Sequence, residues 1–247
     1  ATQRRFRSDP VAEGLLKTLL ACAQSAPSKS DLQQYSIVVV RDAEMRRTIA
    51  ELCRAGRQMD DAPELLVFCA DIRRGQRIAE LRGHPHANNN MDTFLNAIVD
   101  AALAMQAFIL SAESVGLGCC PISALRNPIG AVSELLALPP GVFPVAGMCV
   151  GWPAGRAYVT LRLPPAVVVH QDRYDDSGLA SLEFSCERGA WYCGPPEGFV
   201  EFLQERAEKY PGLEAVNVQS SMGTPLEVML EQLQWFASDV MPKVQGK

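Results

Sequence analysis

The chain has 247 residues, 48% of them hydrophobic and 21% charged, which is the composition of a globular protein able to bury a sizeable core. The length allows one large domain or two small ones. The formal net charge of -5 and the isoelectric point near 5.3 argue against nucleic acid as the main partner, because phosphate neutralisation needs clustered Lys and Arg.

The first predicted unit consists of a helix, a loop and a strand. The helix should have Asp9 as its cap and Pro10 at the first helical position, and it should end near Pro27. A polar loop over residues 28–34 then leads into a β-branched run typical of a buried strand, Tyr35–Val40. The apolar face of the helix comprises Val11, Leu15, Leu16, Leu19 and Leu20.

The middle of the chain alternates apolar strands with periodic segments. Residues 42–53 predict a second helix, residues 65–70 a second buried strand and residues 83–90 a loop. The longest periodic segment, residues 91–115, has small residues in its middle. This pattern is typical of a central helix that packs on several sides.

The next segment contains two further predicted strands. Residues 119–127 predict a short extended piece that feeds a helix over residues 131–138. Residues 142–153 predict a third apolar strand, and residues 166–170 a fourth.

The character of the chain changes near Asp175, so we expect a domain over residues 1–174 and a helical extension over residues 175–247. The extension contains helical patterns near residues 199–209 and 225–240.

The sequence lacks the motifs of several common types of catalytic and metal-binding site. No pattern for a hydrolase nucleophile, a phosphate loop or a zinc site is present, and His84 and His86 lack a further ligand at metal spacing. The eight cysteines lie mostly within apolar runs, which favours buried free thiols in a reducing compartment. We therefore expect a cytoplasmic protein without a signal peptide, a membrane span or a metal.

Four features suit an anionic, phosphorylated cofactor. They are Arg4, the hydroxyl- and amide-rich residues 28–33, the backbone of residues 121–124, and Arg162. Such a cofactor needs guanidinium groups for its phosphate and hydroxyl or backbone donors for its polar ring edge. A surface ion pair for either arginine, and a helix cap for Ser28 or Ser30, are the structural alternatives.

In order and spacing, these features resemble the nitroreductase family, especially its NADPH-dependent flavin reductase subgroup. The resemblance covers residues 1 to about 174, and no piece is specific by itself. The matching pieces are residues 4–6, 9–11, 26–33, 67–71, 112–118, 122–127, 151–153 and 162–164.

The resemblance implies an α+β fold with a central mixed sheet flanked by helices, in an intertwined homodimer that binds FMN at the subunit interface. Arg4 would hold the FMN phosphate or ribityl chain, and Arg162 would be the second phosphate contact. Thr2 would stand in for a serine of the family pattern. The remaining implied FMN contacts are Ser28, Ser30, Gln33, Ser123 and Ala124.

Some positions depart from the family pattern. Residues 1–3 are Ala, Thr and Gln where the family has an arginine and a serine, and Thr160 replaces a lysine. Asp31 stands where Asn is common, and Ser123 and Ala124 replace a pair of glycines. Fewer cations would neutralise less of the charge of FMN, so weaker FMN retention or an altered flavin potential is one expectation.

The resemblance implies hydride transfer from NADPH or NADH through FMN to a small electron acceptor such as a nitroaromatic, a quinone or free flavin. It identifies neither the acceptor nor the preferred nucleotide. The same family also carries out reductive dehalogenation, reduction of activated double bonds and oxygen-dependent flavin chemistry. A weakly flavinated binding scaffold is the alternative from another class, motivated by the lost cations and the unmatched last residues.

Overall fold

The computed structural model describes residues 1–54, 57–86, 89–157, 159, 162, 165–175, 195–209 and 226–244. The chain forms two compact units, Ala1–Val159 and Thr160–Lys247. The predicted domain boundary near residue 174 stays a prediction.

The elements of the first unit are α1 (Glu13–Gln24), β1 (Tyr35–Val40), α2 (Ala43–Cys53), α3 (Arg57–Asp61), β2 (Glu64–Asp71), α4 (Arg73–Leu81), α5 (Met91–Ser114), β3 (Gly118–Ile122), α6 (Ile129–Leu135) and β4 (Val142–Gly151), with short 3₁₀ turns at Lys29–Asp31 and Ala124–Arg126.

The first unit is built on a four-stranded sheet in the order β1-β2-β4-β3. Each neighbouring pair is antiparallel, with Tyr35 opposite Ala70 and Ile122 opposite Gly147. The α+β class is confirmed. In the part of the chain that the structure describes, parallel pairing is limited to one bridge between Thr2 and Cys119, so the sheet is mixed only at that edge.

Apolar layers cover both faces of the sheet, which explains why β2 is apolar at successive positions. Leu65 and Val67 face a core formed with α2 and α6, whereas Leu66 and Phe68 face a core formed with α1 and α5. The alternation follows from the two-residue period of a strand. Both cores are therefore centred on β2.

Most predicted elements are confirmed, but the start of α1 is wrong. The helix begins at Glu13, and its N-cap residue Ala12 makes no side-chain cap. Asp9 forms an ion pair with Arg7, 2.9 Å between Oδ2 and Nε, instead of capping the helix. An acidic residue followed by proline is a strong local signal for the start of a helix. Here the N-terminal segment runs along the sheet up to Arg7, and this tertiary pairing outweighs the local signal.

Helix α5 lies across one face of the sheet. Its buried side includes Ala101, Ala104 and Phe108, which pack into the core shared with α1 and β2. By length and apolar composition alone, it is the one described helix that could cross a membrane. Burial of one side against the sheet is the arrangement of a core helix.

The second unit contains α7 (Pro165–Val168), α8 (Pro196–Lys209), α9 (Leu226–Trp235) and α10 (Met241–Val244), with a π-helical turn between α9 and α10. The two helical patterns expected in the extension are therefore confirmed. The fourth strand predicted over residues 166–170 is wrong, because this segment begins as the helix α7. Pro165 at its first position has the backbone angle that starts a helix, and this outweighs the strand preference of the valines.

Candidate functional site

Two groups of predicted cofactor contacts lie at opposite edges of the sheet. The loop of residues 28–34 precedes β1, and Ser123 and Ala124 follow β3. Ile122 at the end of β3 pairs with Gly147 of β4, which pairs with Val67 of β2. Val67 in turn pairs with Val38, so the end of β3 is level with the middle of β1. Three spacings of about 4.8 Å separate the two edges by about 14 Å.

The loop of residues 28–34, called here the serine loop, has an unusual backbone. Ser30, Asp31 and Gln33 have φ angles of 51°, 55° and 48°, in the left-handed region that non-glycine residues rarely adopt. The hydroxyl of Ser28 accepts a hydrogen bond of 2.7 Å from the backbone N–H of Gln33 and so closes the loop. Ser28 therefore has a structural role, and its own O–H proton is available to a ligand.

The serine loop is held from below by Asp100, a residue of α5 that the sequence analysis missed. Its two carboxylate oxygens accept hydrogen bonds of 3.0 Å from the backbone N–H groups of Lys29 and Gln34. Asp100 is only 1% exposed, so these bonds are made in a poorly solvated place where an unpaired N–H is costly. One signal pointed to it: Asp100 is the one acidic residue within the apolar stretch of residues 97–112.

A second residue missed by the sequence analysis, Arg74 of α4, holds the other side of the serine loop. Its guanidinium donates to the backbone oxygen of Gln33 at 2.6 Å and to that of Tyr35 at 3.2 Å. The carboxylate of Asp71 orients it, because Asp71 accepts from the Ser36 hydroxyl at 2.6 Å and contacts the Arg74 guanidinium at 3.4 Å. Two charged side chains from different helices therefore fix the strained loop.

At the opposite edge, the N-terminal segment of residues 2–7 extends the sheet beside β3. The backbone N–H of Gln3 donates to the oxygen of Cys119 at 2.9 Å, and that of Arg7 donates to the oxygen of Trp152 at 2.9 Å. This pairing places Thr2 and Arg4 along the β3 edge. Gly118 permits the approach, because a Cβ atom there would lie 2.6 Å from the Cβ of Gln3.

Arg4 is exposed, and its positive charge acts on the thiol of Cys120 in β3. Burial raises the pKa of the Cys120 thiol, and the positive charge of Arg4 opposes that increase. Because Thr2, Arg4, Ser123 and Ala124 all belong to this edge, the structure groups four of the eight predicted contacts around β3. Ser28, Ser30 and Gln33 form the separate group in the serine loop.

The turn after β3 is shaped by packing. Leu125 is buried against Gly147 of β4, where a Cβ atom would lie 2.7 Å from the Leu125 Cδ1. Arg126, which the family pattern also matches, donates from Nη1 to the backbone oxygen of Val145 at 2.6 Å. Its structural role is therefore established, and Ser123 is left exposed at the end of the strand.

The buried cysteines of the sheet are free thiols rather than reactive groups. Burial raises the pKa of Cys119 and of Cys149 to about 12, so both keep their protons at neutral pH. Among the described residues, no group of three or more His, Cys, Asp and Glu is placed to hold a metal ion.

Comparison with known proteins identifies this arrangement. Residues 1–152 match the model of the family described as "Nitroreductase family". The chain belongs to the nitroreductase family. It is 37% identical over 173 residues to the FMN reductase [NAD(P)H] of Bacillus subtilis, covering 69% of this chain and 70% of the relative. It is also 37% identical over 172 residues to the oxygen-insensitive NADPH nitroreductase of Salmonella typhimurium, covering 69% and 70% of the two chains.

The fold agrees with this assignment to the nitroreductase family. The structure of the NADPH:FMN oxidoreductase of Vibrio harveyi, solved in complex with NAD+, matches with a TM-score of 0.70 and 29% identity, over 97% of this chain and 94% of that chain. The nitroreductase-like fold expected from the sequence is thereby confirmed.

One predicted contact of this nitroreductase-family chain lies in the second unit. Arg162 is exposed there, so its role as a second phosphate contact stays a prediction. Thr160, the departure from the family's lysine, lies outside the described residues.

Proposed function

We propose that this chain is an FMN-dependent oxidoreductase that carries hydride equivalents from NADPH or NADH to an electron-poor small molecule such as a nitroaromatic, a quinone or free flavin. Membership of the nitroreductase family supports this proposal, as do relatives named FMN reductase, NADPH nitroreductase and NADPH-flavin oxidoreductase. The observation on this chain that supports it most directly is the strained serine loop, which Asp100 and Arg74 hold in place.

The polar groups present fit FMN in type. The phosphate of FMN carries about two negative charges and accepts hydrogen bonds. Arg4 and Lys29 provide exposed cations, and Thr2, Ser28, Ser30 and Ser123 provide hydroxyls. We propose that Arg4 and Thr2 hold the phosphate or ribityl chain, while Ser30, Gln33 and the backbone at Ala124 contact the ring system.

Bound FMN would supply the redox chemistry, by accepting a hydride from the nicotinamide and passing electrons to the acceptor. The chain's own residues bind and orient the cofactor and the substrates. Asp100 and Arg74 hold the backbone around Ser30 and Gln33 in a strained form, and a loop fixed in this way loses little conformational entropy on binding. The protonated Cys119 and Cys149 take no part as nucleophiles.

We also propose that the active form is a homodimer in which α5 contacts the partner. The side of α5 away from the sheet exposes Leu95, Val99, Leu103 and Leu110, an unusually apolar surface for a soluble monomer. The two groups of contacts lie at opposite edges of the sheet, which suits a site completed by two subunits. Sedimentation equilibrium should give twice the mass of the chain, and a monomer that retains FMN would contradict this part of the proposal.

A cytoplasmic location is proposed on the state of the cysteines. The six cysteines in the described residues are free thiols, five of them buried. Free thiols are common in a reducing compartment. Cell fractionation would test the location, and recovery of the protein from an oxidising compartment or from membranes would contradict it.

The test of the function is an absorbance spectrum of the purified protein after FMN addition and desalting, followed by anaerobic NADPH and, separately, NADH. We expect flavin bands that bleach with at least one nucleotide and recover when a nitroaromatic or a quinone is added. Arg4→Gln should weaken FMN retention about tenfold, the loss of one hydrogen bond to a charged group. A wild-type protein that retains no FMN would overturn the proposal in favour of a binding scaffold.

A further inference from the structure

A surface cavity of about 440 Å³ lies beside α4, at the end of the sheet where β2 ends and β4 begins. Its volume is within the range of sites that hold small ligands. None of the eight predicted FMN contacts lines the cavity. The cavity lies next to the serine loop and shares Ser36, Asp71 and Arg74 with the residues that support that loop, but it contains none of the predicted contacts themselves.

Three arginines of α4 line the polar side of this cavity, namely Arg73, Arg74 and Arg77. Two of them already have a carboxylate partner. Arg77 forms an ion pair of 2.7 Å with Glu80, and Arg74 contacts Asp71 at 3.4 Å.

Arg73 differs from its two neighbours. In the part of the chain that the structure describes, its side chain makes no hydrogen bond or ion pair, and the residue is exposed. The cavity therefore has one positive charge in excess. A guanidinium presents two parallel donors that match the two oxygens of a carboxylate.

The remaining lining of the cavity is mostly apolar. Ile78, on the same helix as the arginines, is 56% exposed, and Leu138 and Val142 line the cavity up to the start of β4. An exposed isoleucine and an unpaired arginine in the lining of one cavity suit a ligand with an apolar body and one anionic end. Burial of an aromatic ring against this wall would add hydrophobic free energy to the charge contact.

We propose that this cavity is a binding site for an aromatic monocarboxylate, with its carboxylate on Arg73 and its ring against Ile78 and Val142. The net charge of the cavity favours a carboxylate over a phosphate ester. One excess positive charge balances a monoanion, but it leaves one of the two negative charges of a phosphate dianion uncompensated. The site does not depend on the proposed redox function, because Arg73, Ile78 and Val142, the three residues that would contact the ligand, are assigned neither to FMN nor to hydride transfer.

The experiment is calorimetric titration of the full-length, FMN-treated protein with 2-naphthoate. The neutral 2-naphthamide has the same ring and reports apolar binding alone, and 2-naphthyl phosphate reports any preference for a dianion. Arg73→Gln removes the proposed contact, and because Arg73 makes no described hydrogen bond this variant should fold normally. Arg82→Gln is the matched control, since Arg82 follows α4, is exposed and does not line the cavity.

We expect saturable binding of 2-naphthoate by the wild type and Arg82→Gln with equal Kd, and at least tenfold weaker binding by Arg73→Gln. Binding of 2-naphthamide should be at least tenfold weaker than that of 2-naphthoate. The proposal is overturned by no saturable binding, by equal affinity in Arg73→Gln, by equal affinity for the amide, or by tighter binding of the phosphate ester. Each of these outcomes leaves the flavin spectrum unaffected, so failure here is distinct from failure of the proposed function.

Discussion

At the β1 edge of the sheet, two charged side chains from helices support the serine loop beside its backbone bond from Asp71 to Gln34, whereas at the β3 edge the N-terminal segment of residues 2–7 pairs through backbone hydrogen bonds. Asp100 and Arg74 reach the serine loop from α5 and α4. The N-terminal segment instead pairs with Cys119 and Trp152 through main-chain groups. The two edges carry the two groups of predicted FMN contacts, and their means of support differ.

This difference determines how each edge can be disrupted. A loop held by two charged side chains depends on those two residues, and one substitution removes a whole set of hydrogen bonds. A segment held by its backbone tolerates most side-chain changes, and it is displaced where a new atom occupies the space that a glycine leaves free. Gly118 is such a position.

The largest effect is expected for Asp100→Asn. The amide keeps one acceptor oxygen and turns an NH₂ group towards a backbone N–H, so one buried donor loses its partner. We expect the free energy of unfolding to fall by about 3 kcal/mol and FMN to bind at least tenfold more weakly. Urea unfolding and fluorescence titration with FMN measure the two quantities.

The control for this substitution is Asp92→Asn on the same helix. Asp92 is exposed and accepts a hydrogen bond of 2.9 Å from the Asn96 side chain. We expect a change in stability below about 0.5 kcal/mol and unchanged FMN affinity. If Asp100→Asn and Asp92→Asn behave alike, the serine loop does not depend on Asp100.

The second largest effect is expected for Gly118→Ala at the other edge. The new methyl group would meet the Cβ and Cγ atoms of Gln3, each 2.6 Å away, and push the N-terminal segment from β3. We expect a loss of about 2 kcal/mol, and weaker FMN binding because Arg4 moves with the segment. Adding Gln3→Gly removes the clashing atoms, so Gly118→Ala should cost much less in that background.

Gly130→Ala is the matched control for Gly118→Ala. No atom lies within 4 Å of the position of its new methyl group, and Gly130 lies within α6. Here we expect stabilisation of about 0.5–1 kcal/mol from higher helix propensity. A loss at Gly130 equal to that at Gly118 would show that steric contact with Gln3 is not the cause.

A smaller effect is expected for Arg74→Gln at the serine loop. The Arg74 side chain is about half exposed, and water replaces part of its hydrogen bonding to Gln33 and Tyr35. We expect a loss of about 1 kcal/mol and FMN binding weakened about threefold. Arg47→Gln removes an exposed arginine that pairs with Glu44 on α2, and it should leave FMN affinity unchanged. Equal FMN affinities in the two variants would contradict the role of Arg74.

The elements of the sheet and most helices were readable because their signals are local. β1, β2 and β4 are apolar runs, and α5 has a long helical period that ends at Gly116. The failures occurred where a distant contact or a single proline decided the outcome. Asp9 pairs with Arg7 instead of capping α1, and Pro165 begins a helix in a run of valines.

The candidate site was predicted in part. The order of the nitroreductase motifs along the chain located the serine loop and Arg4. It did not identify the residues that hold the loop. Asp100 lies 71 positions from Lys29 along the chain, and Arg74 lies 41 positions from Gln33. No local pattern reports contacts at such separations. The isolated acid in an apolar helix was a usable sign that a buried carboxylate needed partners.

The smallest effect at neutral pH concerns Cys119, which pairs with the N-terminal segment through its backbone and buries its side chain in the core. Burial raises the pKa of its thiol from 9.0 to about 12. Above pH 9 the unfolded chain loses this proton while the folded chain keeps it, so the free energy of unfolding falls as pH rises from 9 to about 12. One such proton changes the slope by about 1.4 kcal/mol per pH unit. Below pH 9 both states are protonated, and the stabilising contribution is fully present.

Replacing Cys119 should remove its share of this slope. Cys119→Ala and Cys119→Val differ in volume and hence in stability at pH 7, but both lack the thiol and should show the same flatter dependence between pH 9 and 12. Urea unfolding at several pH values measures the slope independently of the intercept. A slope equal to that of the wild type in both variants would mean that the Cys119 thiol titrates alike in the folded and unfolded chain. In that case the core on the α1 and α5 side of β3 would admit water to the Cys119 side chain.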